Sequence, residues 1–534
     1  MTTSMKSWWL SAVAAFLAVA MYATPSTAQG VTTAALTGVV KDSQGAVVPG
    51  ASIVAVHQPS GTTYVAVSQG DGRYTVAGMR VGGPYKVTAE LSGFSTSERN
   101  NVTLNLGVTQ DMDFDLKLAT VSETVQVVAE SNPVFSSGRT GAATAVSRED
   151  LASLPTISGR LTDIERLTPQ YGGNGSFSGQ DNRANNITID GSYFNGSFGL
   201  QTSTGGVGDR TGVAPISLEV IEQVQVNVAP YDVRQGNFVG ANVNTVTRSG
   251  ANRFTGSLYT RYRNESYVGT KAAGLTFNPG TFKTTNTGEW VGGPIIKNRL
   301  FFFQSFESQK DTRPLTTFQS NPGGAPVGGN ITRVANSDLT FLSSYLATNF
   351  KYDTGPFDSI SKETPGKPWM LKLDFNINSA NKITFRYNQL TSSTDVGQNG
   401  SGALGTTRRT GTTDFLSFKN SNYAILENVK SGIGEWNSVF KGMTNDLLVG
   451  YTFQDESRAP IQLFPFVVIG DGTGGVYTSF GSEPFTPNNL LSYPDRTDSE
   501  MSPRDSRLNN LIAIEVDVER RGRRPRSDGQ ASRS

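Results

Sequence analysis

The feature that most constrains this chain is a strict two-residue alternation in its second half. Leu371, Leu373, Phe375 and Ile377 alternate with Lys372, Asp374 and Asn376. After Asn378-Ser379-Ala380-Asn381-Lys382, the residues Ile383, Phe385 and Tyr387 alternate with Thr384, Arg386 and Asn388. Successive side chains of a strand point to opposite faces, so the pattern predicts an antiparallel hairpin with one apolar and one polar face. Two environments satisfy it. In water the apolar face packs on a core; in a bilayer it meets lipid and the polar face lines a lumen. Period alone does not separate the two.

The N-terminus narrows the choice. Residues 1–28 read as a signal peptide: Lys6 is the basic start, Trp8 to Ala23 the apolar stretch, and Ser26-Thr27-Ala28 a small-residue exit. No later stretch approaches the ~18 uncharged apolar residues of a membrane helix. An exported chain of this kind enters a membrane only as a closed β-barrel, where every backbone polar group is paired.

Composition closes most catalytic chemistry. Cysteine is absent and His57 is the only histidine, so thiol nucleophiles, Cys-ligated metals and two-His zinc sites are excluded. With Lys+Arg at 46 and Asp+Glu at 45 the formal charge is +1, which does not suit a broad polyanion-binding surface. No catalytic residue, cofactor or metal is therefore assigned, no nucleic acid is expected as a partner, and the chain is read as a non-enzyme.

Residues 31–118 carry short alternating runs at Ser52–Val56, Tyr64–Val67, Tyr85–Ala89 and Val102–Leu106, separated by turn clusters such as Gly70-Asp71-Gly72. That spacing predicts a small β-sandwich. Gly38-Val39-Val40, Asp42, Gly45, Val48-Pro49-Gly50-Ala51, Asp71-Gly72-Tyr74, Gly78-Met79, Tyr85-Val87 and Gly93-Phe94 make this zone resemble the carboxypeptidase regulatory-like, transthyretin-like family, whose superfamily includes carbohydrate-binding folds.

Residues 119–250 open with Glu123, Thr124, Val125, Gln126, Val127, Val128 and Ala129, a β-prone string between domains. Such a segment invites pairing with another chain's sheet edge. It resembles the TonB box of TonB-dependent receptors. Ser147 to Leu151 with Leu154-Pro155 reads as a helix start and stop. Asn185 to Gly191, Ile221 to Asn227 and Gly240 to Gly250 follow. In this order the segments resemble the plug domain of TonB-dependent outer-membrane receptors of the Oar-like branch.

Residues 251–460 show barrel-type hairpins, with about eight strands at ~10 residues each. Tyr259, Tyr262, Phe301, Phe302, Phe303, Phe306, Tyr387, Tyr451 and Phe453 are expected in interfacial girdles. Gly292 to Phe303 resembles an early barrel hairpin of the same branch. Polar stretches at 308–367 and 391–415 are expected as long loops. Residues 461–510 continue loop or barrel, and 511–534, with Arg520, Arg521, Arg523, Arg524 and Arg526, are expected as a disordered or non-native tail. A large plugged transporter has about 22 strands, so the chain reads as C-terminally truncated.

The expected fold is all-β dominated: an N-terminal β-sandwich, an α+β plug and an incomplete antiparallel transmembrane β-barrel. The resemblance implies a receptor in the outer membrane of a Gram-negative-type bacterium. Its implied partners are a TonB-type periplasmic energy transducer at 123–129, lipid, the barrel-assembly machinery and an unidentified siderophore, saccharide, peptide or protein. Gln180, Arg183, Tyr193 and Phe194 are candidate ligand contacts, since arginine beside aromatics suits an anionic or sugar-like ligand. The alternative is a secreted or surface β-sandwich adhesin or carbohydrate-binding protein without transport.

Overall fold

The computed structural model of the protein describes residues 31–118, 125–128, 142–154, 161–196, 210–228, 235–236, 238–272, 275–276, 281–397, 412–440, 443–465, 467–470, 476–481 and 511–520. The expected signal peptide, Glu123, Thr124 and Ala129 lie outside these residues.

Nine strands form the first body: β1 (Ala34–Asp42), β2 (Ser52–His57), β3 (Thr62–Val67), β4 (Arg73–Met79), β5 (Gly82–Glu90), β6 (Ser97–Leu104), β7 (Thr109–Asp111), β8 (Phe114–Leu116) and β9 (Val125–Val128). One sheet runs β4-β1-β7, with β8 also on β1; the other runs β3-β2-β5-β6-β9. Alternating residues of both meet in one core, with Leu36, Val40, Tyr74 and Phe114 against Ile53, Tyr85, Val87 and Val102. This is a sandwich in which each inner face supplies every second side chain.

The second body is α+β. Its elements are β10 (Ala142–Ser147), α1 (Arg148–Ser153), α2 (Leu161–Glu165), β11 (Tyr171–Gly173), β12 (Ser176–Phe177), β13 (Asn186–Ile189), β14 (Ser192–Tyr193), β15 (Ile221–Val228) and β16 (Ala241–Thr247). Ser147 and Asp150 close a reciprocal capping box at the start of α1, which fixes the expected helix start. The sheet order is β10-β15-β16-β13-β14, with β13 parallel to β16.

The third body is a sheet of eight antiparallel strands. In chain order its region holds β17 (Thr255–Asn264), β18 (Lys271–Ala272), β19 (Leu275–Thr276), β20 (Lys283–Ile296), β21 (Leu300–Pro314), β22 (Gln319–Asn321), β23 (Ile331–Ala335), α3 (Asn336–Phe350), β24 (Ser361–Asn376), β25 (Asn381–Val396), β26 (Leu416–Ser417), β27 (Tyr423–Phe440), β28 (Met443–Pro460), β29 (Val467–Gly470), β30 (Val476–Phe480) and β31 (Leu511–Arg520). The sheet runs β17-β20-β21-β24-β25-β27-β28-β31, and its two outer strands do not meet. Short turns join β20 to β21, β24 to β25 and β27 to β28, while long connections join the other ends.

Burial decides the environment that periodicity left open. On β24 and β25 the charged and amide side chains face inward: Lys372 is 5% exposed, and Arg386 and Asn388 are 0% exposed. The apolar residues between them face out, with Phe385 45% exposed. Trp436 and Tyr451 are likewise exposed on neighbouring strands. A soluble sheet buries the opposite face. A wall with apolar residues outside and polar residues inside is built for lipid. The central body fills the concave side: its core of Ile187, Phe194, Val224 and Val243 is continuous with Trp290, Phe303, Met370, Leu390 and Val429 of the wall.

Three expectations change. Phe301 and Phe303 are buried on the inner face and Tyr259 points its hydroxyl at Ser217 and Glu307, so these three leave the expected girdles. The aromatic run at 301–303 hid this, because only its middle ring, Phe302, follows the outward period. The stretches expected as polar loops are shorter than read: β21, β24 and β25 extend into them. What remains carries a core of its own, in which Leu339 and Leu346 of α3 pack with Tyr352, Leu416, Phe418 and Phe480. Finally, Leu511–Arg520 of the expected non-native tail pairs with β28, Val449 opposite Ile514.

Candidate functional site

The site begins with a sequence-encoded conflict. The hairpin β24–β25 sets Lys372 directly opposite Arg386. Two like charges opposite each other on one face of a sheet repel, and burial makes both costly. The register therefore calls for an anion between them.

The central body supplies it. Asp190 and Gly191 are the two central residues of the β13–β14 turn, with φ of 45° and 78°. A two-residue turn of this hand needs positive φ at both positions, which Asp-Gly tolerates. The turn projects Asp190 to the wall, where its Oδ1 lies 3.3 Å from Lys372 Nζ and its Oδ2 3.6 Å from Arg386 Nε. The same carboxylate accepts from Thr247 N at 2.8 Å and from Thr247 Oγ1 at 2.6 Å. Lys372 also donates to Thr247 O at 3.0 Å. Burial alone would push the Asp190 carboxyl up; Lys372, Arg386 and the Thr247 hydrogen bonds outweigh it and hold the carboxyl below its ordinary value. Phe194 lies under the Arg386 guanidinium, 5.4 Å from ring centre to Cζ.

A second contact holds the sandwich to the short-turn rim. Arg80 Nη2 is 3.2 Å from an Asp374 oxygen. Asn376 Nδ2 donates to Thr62 Oγ1 at 2.8 Å, and Lys382 Nζ sits 4.0 Å from the Tyr64 ring centre. Toward the central body, Gln223 Oε1 accepts from Leu106 N at 2.7 Å and its amide nitrogen donates to Asn105 at 2.8 Å. Between the three bodies lies an open-sided cavity of about 280 Å³, lined among others by Arg80, Glu222, Arg248, Lys372, Asp374 and Glu435. Arg248 Cζ lies over Trp290, 3.6 Å from its ring centre, and burial with the nearby Arg148 lowers its pKa to about 10.

The expected ligand residues separate into two pairs. Gln180 and Arg183 are exposed, and Arg183 Nε bonds Asp181 at 2.9 Å. They precede β13, which runs parallel to β16; β16 leads to the short-turn rim, so Gln180 and Arg183 lie at the opposite, long-loop end. Tyr193 and Phe194 are buried against the wall. Of the expected partner segment, Val125–Val128 is strand β9, added parallel to β6 at the sandwich edge. Sequence reasoning missed the grouping of Asp190 with Lys372 and Arg386. Its signal was the pairing of two cations across the 378–381 turn.

Fold, wall polarity and inserted central body define an outer-membrane β-barrel protein of a Gram-negative bacterium. Residues 246–488 match the outer membrane beta barrel domain, and residues 35–117 the carboxypeptidase regulatory-like domain. The chain is similar to the TonB-dependent transporter Oar of Myxococcus xanthus, 25% identical over 352 residues that cover 61% of this chain and 30% of Oar. Among solved structures, the siderophore receptor PirA from Acinetobacter baumannii is 14% identical with a TM-score of 0.38, covering 63% of this chain and 42% of that one. The outer membrane transporter YddB from Escherichia coli is 11% identical with a TM-score of 0.42, covering 64% and 43%. The chain thus spans under a third of Oar and under half of these two structures.

Proposed function

We propose that the chain acts as a TonB-dependent outer-membrane receptor in energised transport of a ligand, and is not an enzyme. The observation that carries this reading is the inverted wall closed from within by a body whose Asp190 is held between Lys372 and Arg386. An ion cluster of this kind is strong while paired and costly once one partner leaves, so it suits a plug that is held fast and released as a unit. The name of Oar supports the same reading.

In this account the ligand arrives on the long-loop side, where Gln180 and Arg183 are offered to it; Tyr193 and Phe194 act from beneath by positioning the β13–β14 turn. A TonB-type transducer takes residues 123–129 in the periplasm by strand addition. Lipid surrounds the outward apolar face and the barrel-assembly machinery inserts it. The outer edges of β17 and β31 are paired in the transporting form, because lipid cannot satisfy open backbone groups.

Deletion of 123–129 tests the reading. The full chain in detergent should be captured by the immobilised periplasmic domain of the host's TonB-type transducer, and the deleted chain should not. Undiminished capture after deletion would contradict the assigned role.

A further inference from the structure

The strand β9 has two edges with different fates. Its inner edge is paired with β6 in parallel over four positions, Ser97 with Val125, Glu98 with Gln126, Arg99 with Val127 and Asn100 with Val128. Its outer edge has no partner among the described residues, since β9 ends the sheet β3-β2-β5-β6-β9. An open strand edge is a row of backbone donors and acceptors that a second extended chain satisfies. The segment therefore need not leave the sandwich to be recognised.

We propose that the transducer's extended strand adds to the outer edge of β9 while the inner edge stays on β6. Sandwich and segment 125–128 then form one handle. This deepens the transducer reading and rests on it. A pull on the handle first loads the sandwich contacts: Arg80 with Asp374, Thr62 with Asn376 and Lys382 with Tyr64 on the rim, and Asn105 and Leu106 with Gln223 on the plug. These are polar or cation–π contacts, and beside them Val81 and Leu106 of the sandwich bury an apolar contact with Val246 of the plug. The polar contacts are short-ranged and directional, so a displacement of a few ångströms breaks them together.

The experiment uses the absence of native cysteine. The N100C/V128C variant of the full chain places one thiol on each strand at a registered pair. Oxidation then fixes β9 to β6. Capture by the immobilised periplasmic transducer domain is compared for oxidised and reduced forms, beside the unmodified chain and the chain lacking 123–129. We expect oxidised and reduced forms to be captured equally, within twofold, and the deleted chain not at all. A loss above tenfold on oxidation that reductant restores would overturn the proposal, since the strand would have to leave β6, while leaving the transducer reading intact. Equal capture of the deleted chain would overturn both.

Discussion

Asp190 and Lys372 are joined across the boundary between plug and wall, 3.3 Å apart, although 182 residues separate them in sequence. Arg386 completes the group from the strand paired with that of Lys372. The plug is thus held at a hairpin tip by two cations that would otherwise repel.

Removing the anion should cost more than the pair contributes. Asp190→Asn keeps the shape and leaves Lys372 and Arg386 buried without a counter-charge, a change worth about 3–5 kcal/mol. The urea midpoint for labelling a buried reporter, V243C, should fall accordingly in detergent. An unchanged midpoint would remove the cluster from the account of plug retention.

The same carboxylate sets an acid limit. Its pKa is depressed in the folded protein, so its contribution is complete above the unfolded value of ~3.9 and is lost as pH falls through the lower folded value. Plug retention should be flat from about pH 8 to 5 as far as this group is concerned, and weaken only below the ordinary carboxylate range. Asp190→Asn should abolish that acid step in the reporter assay.

His57 predicts a different pH dependence for the sandwich. It is buried, accepts or donates at Nδ1 to Ser60 Oγ at 2.7 Å, and has its pKa lowered to about 3 by burial and then by Arg80. The neutral form is favoured by folding, so stability is complete above the unfolded value of ~6.5 and falls as pH drops below it, by about 1.4 kcal/mol per unit. As the only histidine, it makes the effect assignable. Unfolding of the sandwich between pH 7 and 5 should show the slope, and His57→Asn should flatten it.

Phe194 is fully buried under Arg386. Phe194→Ala should destabilise the plug by about 3–5 kcal/mol through lost packing. Gln180→Ala and Arg183→Ala, both on the exposed side, should leave the same urea midpoint within about 0.5 kcal/mol.

Much of this architecture was legible in the residues. The turn Asp71-Gly72 and the alternation at 371–388 act locally, and local rules gave the sandwich strands and the wall hairpins, whereas the plug was expected from its resemblance to a family. What alternation does not carry is which face is inside: that depends on the plug filling the concave side. The run Phe301-Phe302-Phe303 misled for the same reason, since three successive rings occupy both faces. The core around Leu339 and Leu346 was missed because its partners, Leu416 and Phe480, lie far along the chain. The Asp190 cluster needed both the hairpin register and the plug's seating, which no single segment contains.

The central claim is that the apolar face of the wall meets lipid while its polar face meets the plug. Spin labels placed singly at Phe385 and Leu373, on the outward face, and at Lys367, near the long-loop end, measure it after insertion into lipid vesicles. The account predicts that labels at 385 and 373 collide with dissolved oxygen and are shielded from a water-soluble nickel chelate, whereas the label at 367 is open to the chelate. Chelate access at 385 and 373 equal to that at 367 would contradict it.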